Sequence, residues 1–294
     1  MRVGICLPIS ERESESQATT YQFMRELAVA AENGGADSIY VADHIFYQPP
    51  DGEPPVGEWE STTMLGALAD ATSRAEIGPL VFCAPFRNPG MLAWLANTLD
   101  EISGGRFILG LGAGWHQPEF NAFAFNFDRR VSYLEETLEI VVPLLRDGTT
   151  GYQGELLEGH AGLRPNGPRP HGPPILLAGR KPRMMQLTAK WADRWNSVWY
   201  GLPTDKFHAE RASLVHACEA IDRDPATIEV SAGLIITDKT SQPNDDKQLC
   251  GDVDQIAEGL AKWREEGVTE VTCAMEPPSL ATVERITRAA EQVR

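Results

Sequence analysis

Asp43-His44 follows the apolar run 38–41 directly and precedes a long loop, and it is the first place where this chain could handle a proton. A histidine changes charge near neutrality and serves as a general acid or base; an aspartate beside it can bias that titration. The pair also suits a plainer role, a capping carboxylate and a structural imidazole at a strand end, and position alone leaves both readings open. A second segment, Gly110-Leu111-Gly112-Ala113-Gly114-Trp115-His116, closes another apolar run. Its glycines let a flat ring or a backbone come close. Trp115 offers a stacking face and His116 a hydrogen-bond donor; a tight turn over a buried tryptophan is the alternative.

The third segment is Ala178-Gly179-Arg180-Lys181-Pro182-Arg183. Pro182 suits the first position of a helix. The free N–H groups and positive dipole end of such a helix start make an anion site, and three cations in four residues strengthen it. A phosphate-bearing ligand is the natural occupant; a solvated charge run is the competing reading. The run 82–89, Phe-Cys-Ala-Pro-Phe-Arg-Asn-Pro, could wall one face of a flat ligand, although ordinary turn chemistry explains it as well. Trp191, Trp195 and Trp199 recur every four residues across an expected strand boundary and read as core and pocket wall. The six histidines show no HxH or HExxH spacing, so no metal site is expected. GxSxG is absent.

Residues in these roles need a scaffold that gathers strand ends at one rim. Apolar runs at 3–7, 38–41, 77–83, 107–112, 175–178, 195–199, 228–236 and 270–273 read as strands. Amphipathic stretches separate them: a helix opened by Thr20, with Phe23, Leu27 and Ala31 on one face, then 61–71, 90–102, 129–146, a helix from Pro182, 204–222, 252–266 and 279–293. Eight such units predict one α/β domain over 1–294, a (β/α)8 TIM barrel with loop insertions, whose chemistry belongs at the C-terminal ends of the strands. The insertions are a Pro/Gly-rich loop at 45–60, expected to act as a lid, a small hairpin at 149–158, a loop at 160–174 and a polar, acidic stretch at 237–251 expected to be mobile. An open doubly wound sheet is the rival fold. The glycines at 110, 112 and 114 follow GxGxG rather than GxGxxG and lie mid-chain, which argues against it.

Composition narrows the function. The 294 residues carry a formal net charge of −16, which argues against nucleic acid or an anionic membrane as partner yet leaves room for a local basic pocket. Five scattered cysteines without CxxC suggest a reducing compartment, and the cytoplasm is the expected location. The N-terminus does not read as a signal peptide, and no stretch approaches about 18 consecutive apolar residues.

Taken in order, these segments match a known pattern: Ala42-Asp43-His44, Asn88-Pro89, Ser103-Gly104-Gly105-Arg106 before Gly-x-Gly-Ala-Gly-Trp, Glu119-Phe120, Arg130-x4-Glu135-Glu136, Ala178-Gly179 with Pro182-Arg183-Met184, and Ala192-Asp193-x-Trp195-Asn196. The ordered set resembles the luciferase-like monooxygenase superfamily, above all its branch that uses the deazaflavin coenzyme F420. That resemblance implies a flavin-like ring in the barrel mouth, with His44 as acid/base near its reactive carbon and Asp43 beside it. It implies a non-proline cis peptide near Val81-Phe82 as a platform, with Ala84 beyond it. Gly112, Gly114, Trp115 and His116 would line the ring or its side chain, and Ala178, Gly179, Arg180 and Lys181 would hold the phosphate. A homodimer and a small-molecule substrate are also implied. One branch that oxidises a sugar phosphate carries a Glu after the fourth-strand glycines. Trp115 stands there here, with His116 next, which sets this chain apart. The usual Gly-Gly before the phosphate helix is Ala178-Gly179, and the following Arg180-Lys181 suits a cofactor with extra negative charge.

The function expected is therefore an F420-dependent oxidoreductase moving a hydride between the deazaflavin C5 and a small organic substrate. The alternatives are an FMN-dependent monooxygenase using reduced flavin and dioxygen, a flavin- or deazaflavin-binding protein without turnover and, more distantly, a cofactor-free lyase.

Overall fold

The computed structural model describes residues 1–10, 13–14, 17–50, 52–162, 167–237 and 247–294. Eight parallel strands form the barrel: β1 Arg2–Leu7, β2 Ser38–Val41, β3 in two pieces at Glu76–Pro79 and Phe82–Cys83, β4 Leu109–Gly112, β5 Ile175–Ala178, β6 Arg194–Tyr200, β7 Glu229–Thr237 and β8 Glu270–Glu276. Each pairs with its sequence neighbour, and β8 returns to β1. A bridge from Ile77 to Phe107 and the pair Phe82–Leu111 hold both pieces of β3 to β4, so the sheet closes. The (β/α)8 reading holds, and the open sheet is overturned.

Around it lie α1 Tyr21–Asn33, α2 Ser61–Ala71, α3 Pro89–Ile102, α4 Gln117–Ala122, α5 Arg130–Asp147, α6 Pro182–Trp191, α7 Asp205–Glu219, α8 Val253–Glu265 and α9 Leu280–Gln292. Several of their starts carry the side-chain acceptors that helix N-termini favour. Thr20, Asn88, Thr204 and Ser279 each cap a backbone N–H, and Asp252 forms a capping box with Gln255. The apolar faces of the helices are buried against the sheet, with Phe23, Leu27 and Ala31 of α1 and Leu134, Leu138, Val141 and Leu145 of α5 all in the core.

The barrel interior is layered. At the N-terminal base Arg194 makes a bidentate pair with Glu76 (2.8 Å to each oxygen) and meets Glu229 at 3.0 Å and the buried Glu270 at 3.9 Å. Above it Cys6, Tyr40, Ile108 and Leu176 pack together against Leu80, Val81, Trp199 and Ala274. Trp195 points outward instead, fully buried against Phe207.

Four expectations change in detail. The 45–60 loop contains a small antiparallel hairpin, Phe46–Tyr47 against Val56–Gly57. The second strand of the 149–158 hairpin lies further on, at Glu158–Ala161. The non-proline cis bond falls at Leu80–Val81, one residue before the position the resemblance implied, and a second lies at Val198–Trp199. Of the 237–251 stretch, Gln248–Cys250 adds a short parallel strand to β7, and 238–246 lie outside the described residues.

Candidate active site

The candidate residues lie at the C-terminal ends of β2 to β5, on neighbouring strands. His44 follows β2, and its Nδ1 lies 2.9 Å from Glu119 Oε2 on α4. Glu119 is only 1% exposed and also accepts the backbone N–H groups of Ile45 and Phe46. A carboxylate that takes backbone donors is an acceptor toward the imidazole too, so Nδ1 carries the proton and Nε2 is the atom left for chemistry. Burial lowers the His44 pKa, but the hydrogen bond and charge of Glu119, with the charges of Glu58 and Asp43, outweigh it and raise the value above 6.5. The imidazole stays 22% exposed, so Nε2 is not sealed in.

Asp43 does something different. Its carboxylate accepts the Ser61 hydroxyl, the Cys83 N–H at 2.7 Å and two Arg87 N–H groups at 2.6 and 2.8 Å. Arg87 in turn lies 4.2 Å over the Phe82 ring. Asp43 thus ties β2 to α2 and to the end of β3. It reaches His44 only as the smallest of the charges acting on that imidazole.

The glycine turn of β4 presents Trp115 outward. Gly114 sits at φ +81°, and a Cβ there would lie 2.6 Å from Cys83 Sγ, so glycine is required by both conformation and space. Arg130 Nε donates to the Gly114 carbonyl. Trp115 is 64% exposed, with its ring 5.5 Å from that of His44. A tryptophan so exposed at a strand-end mouth is a ready stacking face. His116 is buried, and its Nε2 accepts the Gln48 N–H at 3.0 Å. The expected donor role is therefore not available at that nitrogen.

On the β3 side, Phe82 and Ala84 are fully buried, whereas Val81 is half-buried, its side chain against the Gly110 and Gly112 positions. Val81 is thus the one of the three that meets the β4 glycines at the rim.

The basic segment lies one strand on. Ala178 ends β5 and Gly179 follows it, Lys181 is the N-cap of α6, and no side chain caps that helix start. Arg180 and Lys181 are exposed. Arg180 reaches the Val198 carbonyl and lies 3.9 Å from Glu210, which also accepts the hydroxyls of Tyr200 and Ser197. The third cation of the sequence motif, Arg183, faces α5 and pairs with Glu135. In its place α7 supplies Lys206, whose Nζ is 4.9 Å over the Tyr200 ring. Burial and the charges of Arg180 and Lys247 lower the Lys206 pKa, against the pull of Glu210. Crowded cations in a chain of net charge −16 fit an anionic ligand group.

A closed barrel brings a histidine–carboxylate pair, an exposed tryptophan and an open helix start to its C-terminal rim, the place where barrel enzymes build their sites. The comparisons with known proteins agree: residues 1–248 match the model of the luciferase-like monooxygenase family, and the chain belongs to that family. Pyrimidine monooxygenase RutA of Methylorubrum extorquens is 28% identical over 209 residues, 66% of this chain and 56% of that one. The 5,10-methylenetetrahydromethanopterin reductase of Archaeoglobus fulgidus is 28% identical over 163 residues, 55% of this chain and 45% of that one. The chain spans little more than half the length of the first curated relatives it matches. A solved structure, the coenzyme F420 dependent tetrahydromethanopterin reductase from Methanopyrus kandleri, superposes with a TM-score of 0.81 at 17% identity, covering 100% of this chain and 99% of that one; it shares the fold. Among the described residues no helix is long and apolar enough to cross a membrane, and no cluster of His, Cys, Asp and Glu could hold a metal ion.

Proposed function

We propose that this protein is a coenzyme F420-dependent oxidoreductase acting on a small organic molecule, with His44 as its acid/base. The observation that carries the reading is the His44–Glu119 pair. It leaves Nε2 of a 22% exposed imidazole at the strand ends, on the same rim as the cations Arg180, Lys181 and Lys206. The residues fit such a cofactor: Val81, Gly112 and Trp115 offer walls for a flat ring, and Gly179, Arg180, Lys181 and Lys206 offer donors and charge for a phosphate and its acidic extension. The bound deazaflavin would supply a hydride donor or acceptor. His44 would take at Nε2 the proton that a substrate hydroxyl releases, or return it. Glu119 would hold the ring in the productive tautomer and stabilise its charged form. Trp115 and the hairpin 46–57 would cover the substrate and exclude water. Asp43 is then a brace for the site rather than a proton carrier.

A second reading, an FMN-dependent monooxygenase using dioxygen, draws support from the similarity to a pyrimidine monooxygenase. Anaerobic turnover across a panel of alcohols, ketones and conjugated alkenes separates the two. F420-linked oxidation or reduction proceeds without dioxygen, whereas the monooxygenase reading requires it. Replacing Arg180 by Glu is expected to weaken F420 binding about tenfold or more at low salt, and less at high salt. An unchanged affinity in a fluorescence titration would remove Arg180 from the anion site. The five unpaired cysteines fit a reducing cytoplasm. A homodimer, implied by the family resemblance, is testable by sedimentation.

A further inference from the structure

We propose that His116 is a positioning residue. As a neutral imidazole it fastens the hairpin 46–57 to the barrel mouth through the Gln48 amide, and protonation releases that hold. A backbone N–H can only donate, so the contact of 3.0 Å from Gln48 N to His116 Nε2 requires a lone pair on that nitrogen. An imidazolium carries N–H on both nitrogens, and two donors would then face each other across a buried gap.

The surroundings hold His116 neutral. Burial, chiefly, pushes its pKa below the ordinary value; the charge of His44 adds to this, and Glu119 opposes it. Among the described residues these are the two charged groups that face it, Glu119 from α4 and His44 from the end of β2. Three aromatic rings also pack on it. Tyr47 stacks on it at 5.2 Å, Phe46 meets it at 6.2 Å and Trp115 at 5.1 Å. The two histidines, 6.2 Å apart, are thus driven in opposite directions. Glu119 lends its hydrogen bond to one, while the Gln48 N–H occupies the acceptor nitrogen of the other. Pairs of titratable groups split in this way divide their tasks: His44 is built to carry a proton and His116 to refuse one. With a folded pKa below the unfolded value near 6.5, the hold is complete above that value and is lost as pH falls through the folded pKa. Ile45 and Phe46 stay on Glu119, and the Glu58 and Trp59 N–H groups stay on the Ile45 and Ile9 carbonyls, so acid frees the Gln48 end of the hairpin and leaves its base anchored.

The Gln48–His116 hold needs no cofactor. Amide hydrogen exchange of the protein alone, expressed as protection factors, reads it at Gln48, with Ile39 in β2 as a control for global opening. In the wild type, Gln48 protection is expected to fall about tenfold or more between about pH 7.5 and pH 5, with Ile39 unchanged. In His116→Gln the side-chain amide oxygen still accepts but does not titrate, so protection should persist in acid. In His116→Leu it should be low at both pH values. Equal protection in wild type and His116→Leu would overturn the proposal. So would an acid loss that survives in His116→Gln or spreads to Ile39.

Discussion

His44→Ala should slow turnover by about 10²–10⁴-fold with cofactor binding retained, the range a single positioned acid/base contributes. Nδ1 is committed to Glu119 at 2.9 Å, and Nε2 is left open at the rim. Glu119→Gln should cost less, because an amide oxygen can still accept from Nδ1, but it removes the charge that keeps His44 basic. The sign follows from the raised pKa. In the wild type the protonated imidazole persists above 6.5, so activity that needs His44 as an acid extends to that higher pH. In Glu119→Gln this limb of the profile should move to lower pH. Turnover by His44→Ala at the wild-type rate would remove His44 from the reaction. A pH limb that stays in place in Glu119→Gln would leave Glu119 a purely structural role.

Arg194→Met should destabilise the fold by about 3–5 kcal/mol, the largest stability effect expected of a single substitution at this site's foundations. Arg194 is the cation at the barrel base, bonded to Glu76 and Glu229 and close to Glu270. Removing it leaves the buried Glu270 and the half-buried Glu76 and Glu229 without that partner, with Arg2 still in contact with Glu229 and Glu270. Burial already raises the Glu270 pKa, against the opposing effects of Ser38, Arg2 and Arg194, and loss of Arg194 raises it further. A carboxyl with a raised folded pKa is favoured in its neutral form, so its burden on stability grows as pH rises through that value. The variant should therefore recover part of its loss as pH is lowered. Urea midpoints at two pH values measure this. A loss under about 1 kcal/mol would mean that the network behaves as an exposed one.

The scaffold was legible because burial imposes period. The runs 38–41 and 175–178 and the helix 61–71 lie where apolar spacing and capping put them. What the sequence hid was pairing across distance. His44 and Glu119 are 75 positions apart, and nothing local ties a carboxylate on a short helix to an imidazole after β2. Adjacency in the chain pointed to Asp43 instead. Yet consecutive residues of an extended segment face opposite sides, and Asp43 goes to Ser61 and Arg87 while His44 goes to Glu119. The same principle separates the cations after β5. Arg180 and Lys181 lie in the turn, but Arg183 is already on the face of α6 that meets α5. Lys206 joins them only because α7 packs beside α6. The hairpin 46–57 leaves no mark in the sequence because each of its strands is two residues long, too short for an alternating pattern.

The most direct measurement is a side-by-side binding titration of the purified protein with coenzyme F420 and with FMN, followed by ring fluorescence. Tight binding of F420 and weak binding of FMN is the expected result, because the cluster of Arg180, Lys181 and Lys206 suits the longer acidic chain. Tight FMN binding with weak F420 binding would contradict the deazaflavin assignment and move the His44–Glu119 pair to dioxygen-dependent chemistry.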